Sequence, residues 1–202
     1  MEDPLGKVAP TSRRLARRWG LLCAIAFLLV ACSSQPSGTA TSEAWVIDFQ
    51  AAQRQATSDF ERDVLADGAV TREEYVESVR RYIDCMQDNG YLTQAVDDLQ
   101  SGVFQYRTSQ EIGSTDIDDE VSDRCRSGTV EIVEPLYIGM LTNPMREDFN
   151  LLVLRCLQRK GLAPDGLSLP EFKSLYWDSN SIPPWNPVDD QVVLCGINPS
   201  LG

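Results

Sequence analysis

The sequence predicts a mainly α-helical domain: two related helix-Cys-x-x-x-x-Gly units, stapled by disulfides, with at most a minor β-hairpin. Three observations carry this expectation. Apolar residues recur at helical spacing through most of the chain beyond residue 43, and four cysteines fall in that part. The stretch Cys85-Met86-Gln87-Asp88-Asn89-Gly90-Tyr91 returns as Cys156-Leu157-Gln158-Arg159-Lys160-Gly161-Leu162. Each copy follows an amphipathic run and places glycine where a left-handed cap would end a helix.

In chain order, Trp45, Phe49, Ala52, Ala56, Phe60 and Val64 keep helical spacing, so one long helix is expected from Glu43 to Ala66, ending at Asp67-Gly68. A second runs from about Thr71 to Asn89. Thr71 and Glu74 form its capping box, and Val76, Val79, Tyr82, Ile83 and Met86 are expected to face inward. Tyr91-Leu92-Thr93 and the alternating Val103-Phe104-Gln105-Tyr106 bracket Gly102 as a small hairpin. A third helix is expected from about Asp119 to Leu141, kinked or interrupted at Pro135, with the acids of 116–120 favourable at its positive end. A fourth covers Met145 to Lys160 and a short fifth follows Ser168. From Trp177 onward the Pro-rich chain reads as irregular, with a brief strand at Val192-Val193-Leu194.

Four cysteines permit three pairings, and composition cannot choose among them. The repeat can. The next cysteine comes 40 residues after Cys85 and 39 after Cys156, so the simplest pairing is Cys85 with Cys125 and Cys156 with Cys195. Arg72-Glu73-Glu74-Tyr75 and Arg146-Glu147-Asp148-Phe149 precede the two copies, offset by three residues, and set pseudo-repeats at about 71–141 and 145–202 within one domain of residues 43–202. These cysteines read as structural, because Cys-x-x-Cys is absent.

The formal charge is -12, and residues 32–202 carry 13 basic against 28 acidic side chains, a balance of -15. Such a surface repels phosphate backbones and anionic headgroups, which disfavours nucleic acid and leaves a cationic or protein partner as the expectation. There is no histidine. That removes histidine-based triads and the commonest nitrogen ligand for zinc.

The N-terminus has the layout of an export signal. Arg13-Arg14-Leu15-Ala16-Arg17-Arg18 precedes an apolar run from Trp19 to Ala31, whose 13 residues reach only about 20 Å as a helix, short of the ~30 Å a spanning segment needs. Leu29-Val30-Ala31-Cys32 then resembles the lipobox of bacterial lipoproteins. The resemblance implies a signal peptide of residues 1–31, removal after Ala31, and lipidation of Cys32, which would hold the protein on the extracytoplasmic face of the cell membrane. Residues 32–42 then comprise the lipidated cysteine and a flexible polar tether.

One segment has the length of a calcium loop. Asp63, Asp67 and Glu74 fall at positions one, five and twelve of an EF-hand pattern with Gly68 at six, but Leu65 takes position three, where an oxygen ligand belongs. The reading preferred is a helix-turn-helix, with Asp67-Gly68 as the turn and Thr71 as the cap. In Ile182-Pro183-Pro184-Trp185-Asn186-Pro187 a large aromatic sits in a stiff loop, and such a tryptophan more often folds back on its own domain than stands out as a contact.

Leu65-Ala66-Asp67-Gly68-x-Val70-Thr71-x-x-Glu74-Tyr75, Cys85-Met86-x-x-x-Gly90-Tyr91 and Asp123-Arg124-Cys125 are similar to actinobacterial lipoproteins without an assigned function, over about residues 45–140. The likeness implies a location and a disulfide framework and brings no catalytic residue or cofactor. The expected function is a membrane-tethered, non-catalytic binding or interaction module of the cell envelope. The alternatives are a calcium-dependent EF-hand-like module and a carboxylate-based envelope enzyme.

Overall fold

A computed structural model describes residues 43–110, 118–178 and 180–201. The export signal 1–31, Cys32 and the rest of the tether to residue 42 lie outside them, as do positions 116 and 117 of the acidic run. Among the described residues the fold is mainly helical, with a two-stranded antiparallel sheet and two disulfides.

The long first helix is divided. A 3-10 turn at Glu43–Trp45 leads into α1 (Val46–Gln55), and α2 (Asp59–Val64) starts afresh. The break is a second capping box: the Glu61 amide donates to Ser58 Oγ at 3.1 Å, while the Glu61 carboxylate accepts from the Ser58 amide. Two orphan donors satisfied at once outweigh the continuing apolar spacing through Ala56 and Phe60. The next helix, α3 (Arg72–Asp88), has the expected Thr71/Glu74 box and buries Tyr75, Val79, Tyr82 and Met86. Val76, expected inside, lies 42% exposed.

Beyond Gly90 come β1 (Tyr91–Val96) and β2 (Gln105–Gln110), paired so that Thr93 faces Thr108 and their hydroxyls meet at 3.1 Å. Their connection is wound around Asp97, whose carboxylate accepts from the Ser101 amide and hydroxyl and from the Gly102 amide.

The expected third helix is likewise two: α4 (Asp119–Arg126) and α5 (Val130–Thr142). The chain turns at Ser127-Gly128-Thr129, where Gly128 takes φ +77°, and Pro135 stays inside α5. A residue free to adopt the left-handed region makes the sharper stop, while proline forfeits only the hydrogen bond to the Glu131 carbonyl. The fourth helix begins later than expected, as α6 (Phe149–Arg159), because Asp148 caps it by accepting from the Asn150 and Leu151 amides. Then α7 (Leu169–Trp177) follows Ser168. The strand expected at 192–194 is instead the middle of α8 (Asp190–Ile197), started by Asp189, which accepts from the Gln191 amide.

Two apolar clusters hold these elements. The first gathers Phe49, Leu65, Tyr75, Met86, Val130 and Val133, and the second Val153, Leu157, Phe172, Trp185 and Val192. The Cys85–Cys125 bridge ties α3 to α4 beside the first, and Cys156–Cys195 ties α6 to α8 within the second. A buried amide joins the clusters: Asn198 Nδ2 donates to the Ser101 carbonyl at 2.7 Å.

Candidate functional site

Both pseudo-repeat signatures build the same local structure. Gly90 and Gly161 adopt φ +84° and +68°, each just past the helix that carries the first cysteine of its bridge. At the second copy, the Leu162 amide returns to the Leu157 carbonyl and the Gly161 amide to Gln158, the double closure of a Schellman cap. These residues hold the fold and face no ligand chemistry.

The calcium-loop residues are occupied with backbone work. Asp67 accepts from the Ala69 amide at 3.1 Å, Glu74 Oε2 accepts from the Thr71 amide and hydroxyl, and Asp63 lies exposed on α2. Among the described residues no group of three or more Asp, Glu, Cys or His side chains is placed to hold a metal ion.

Two buried carboxylates escaped sequence reading. Glu134, on α5, accepts from Tyr75 Oη at 2.9 Å and Tyr106 Oη at 3.0 Å. Burial pushes its carboxyl above the ordinary glutamate value, opposed by the two phenol hydrogen bonds and by Arg126. Burial likewise raises both tyrosines, with the Glu134 charge adding to it. Tyr75 stacks on Tyr137 at 4.2 Å, and Arg72 lies 4.5 Å over the Phe104 ring while donating to the Gly102 carbonyl. This polar knot fixes α3, β2 and α5 to one another. Glu61, fully buried, accepts through Oε2 from Thr57 and Ser58, while its Oε1 meets no donor among the described residues.

The arrangement best suited to a ligand is an open groove on α8. Its apolar half, about 410 Å³, is walled by Tyr176 and Leu175 of α7, Trp185 with Pro183 and Pro187, and Val193 and Gly196 of α8. Trp185 does fold back, its ring 5.7 Å from Phe172, and is only 6% exposed. In doing so it forms the wall of the groove. At Gly196 a Cβ would come 2.6 Å from the Tyr176 hydroxyl, so a larger residue there would have to push that hydroxyl aside. Around the loop, Ile182 and Val188 stand exposed.

Val193 also lines a second hollow of about 220 Å³, between α8 and the β1–β2 connection, with Val96 and Leu99 as apolar wall and Asp97, Asp98 and Asp190 as acidic lining. Asp97 is committed to its own loop and Asp98 pairs with Arg107. The Asp190 carboxylate, in the first turn of α8, meets no donor among the described residues. The Pro-rich segment pointed to a tryptophan folded back on its own domain, not to the groove that it walls. The acidic half was silent in the sequence because it joins residues nearly a hundred positions apart.

Comparison with known proteins found no matching family, no matching curated protein and no matching solved structure.

Proposed function

We propose that the chain is exported, cut after Ala31 and held by lipid on Cys32 at the extracytoplasmic face of the cell membrane, where residues 43–202 act as a non-catalytic interaction module. One observation carries the location. Every cysteine beyond residue 32 is consumed in a disulfide, a pattern that belongs to an oxidising compartment and leaves Cys32, at the end of a short apolar run, for modification. The interaction role rests on the groove beside Trp185. Its walls are stiffened by two prolines and by a helix stapled through Cys195, so a ligand would meet a preformed surface.

The carboxylate-enzyme alternative finds acids on the hollow beside Asp190, but Asp97 and Asp98 are spent as acceptors to Ser101, Gly102 and Arg107. The calcium alternative is disfavoured by the engagement of Asp67 and Glu74 in turn and cap.

Cells fed an alkyne fatty acid should label the wild-type protein, and Cys32→Ala should abolish the label and release the protein from membranes. A membrane-bound, unlabelled wild type refutes the anchor. For the module, a photo-crosslinking residue at position 188 should trap a partner that one at position 47, also exposed but on α1, does not. Val193→Lys should remove that product. Equal yields from both positions refute the groove as the contact.

A further inference from the structure

The groove is bipartite, and the two halves together say what should occupy it. We infer that it receives a basic peptide segment of an envelope protein, one that carries an apolar side chain next to Lys or Arg, and this inference rests on the interaction role proposed above. The apolar half has the size of a small-ligand pocket. The acidic half is smaller and shares Val193 with it as a wall, so an occupant that fills both must change from apolar to charged where it passes that side chain.

Charge complementarity sets the sign. The acidic hollow has three aspartates on its lining; among the described residues Asp98 alone of them pairs with a cation, and the Asp190 carboxylate meets no donor, which leaves it to take a guanidinium or ammonium. Residues 32–202 carry 13 basic and 28 acidic side chains, so the long-range field draws the same kind of partner and repels anionic headgroups. The chain itself is a poor occupant. Residues 33–42 contain neither a cation nor a large apolar side chain, and a second copy would bring like charge against like.

The apolar wall supplies anchoring in proportion to the area it covers, and the aspartates supply discrimination between otherwise similar peptides. Removing Asp190 should therefore relax selectivity, while blocking Val193 should remove binding to both halves.

The test uses the lipidated mature protein in zwitterionic nanodiscs, titrated by calorimetry with acetyl-Arg-Leu-Arg-Leu-amide and with the same peptide carrying Gln or Glu for Arg. Binding is located by the methyl shifts of Val193 and Ile197. The arginine peptide should bind at least tenfold more tightly than the glutamine one and weaken as salt rises, and the glutamate peptide should not bind. Asp190→Asn should reduce the arginine peptide's affinity about threefold to tenfold and leave the glutamine peptide unchanged. Val193→Lys should abolish the Ile197 shift and the calorimetric signal while the far-ultraviolet spectrum and melting temperature stay native.

Equal affinities for all three peptides, or binding that moves neither methyl, would overturn the basic occupant. If position 188 still traps a partner in cells, only the occupant is wrong. If it traps none either, the interaction role falls with it.

Discussion

At the scale of single residues, Glu134 is the group whose environment departs most from what a sequence displays. Burial favours its protonated form, so its folded-state affinity for protons exceeds that of the unfolded chain. The folded state then binds the extra proton above the ordinary glutamate value of 4.5, and stability is lost as pH rises from there through the raised value. Glu77 works in the opposite sense. Its hydrogen bonds from Arg80 and Arg81 lower it to about 2, so what it contributes is present above 4.5 and lost as pH falls from 4.5 to about 2, though near the surface water screens most of it. Glu134→Gln keeps an acceptor for Tyr75 and Tyr106, and its melting temperature should gain on the wild type as pH climbs above 4.5 and level off once the raised value is passed. A constant offset across that range would show that Glu134 does not titrate on unfolding. Glu61→Ala removes the acceptor for the Thr57 and Ser58 amides, so denaturant unfolding should show a loss of roughly 2 kcal/mol. Sequence spacing could not find the role of Glu134, which meets its partners from 28 and 59 positions away, whereas Glu61 meets its own within four residues.

Elements show where local chemistry was legible and where it was overridden. Gly90 and Gly161 could be read as helix stops because the cap depends on a few neighbouring residues. A Cβ at either would meet nothing within 4 Å, so the requirement is purely one of backbone conformation. Gly161→Ala and Gly90→Ala should each cost about 1 kcal/mol in urea unfolding, nearly equal because neither site has a steric component. The split between α1 and α2 was also written in the sequence, as Ser58 followed by Glu61, but unbroken apolar periodicity pointed past it. At 127–129 the stop is set by glycine, although proline usually dominates helix endings and Pro135 is the stronger signal in the sequence. The helix at 190–197 was missed because Val192-Val193-Leu194 is too short for its period to be told, and its aspartate cap was the better guide.

For the molecule as a whole, the disulfide pairing followed from the repeat, whereas the groove required α7, α8 and the β1–β2 connection to converge, which no local pattern encodes. Each bridge closes a loop of about 40 residues, so replacing either cysteine pair by serine should lower stability by about 4 kcal/mol on the chain-entropy model. Because each cluster has its own bridge, the two losses should also be regional. Amide exchange in α6, α7 and α8 should accelerate when Cys156 and Cys195 are replaced, while α3 and α5 keep their protection. Uniform acceleration would mean that the clusters unfold as one unit. The two closed loops, 85–125 and 156–195, do not overlap in the sequence, and between them Met145 and Arg146 stand at an exposed turn with Arg146 at φ +52°. A single protease cut there would leave no covalent thread between the halves. Noncovalent contacts, the Asn198 amide with the Ser101 carbonyl and the Asn143 side chain with the Glu147 backbone among them, would then keep the distal fragment, with its aromatic groove, from being shed while the proximal fragment stayed behind.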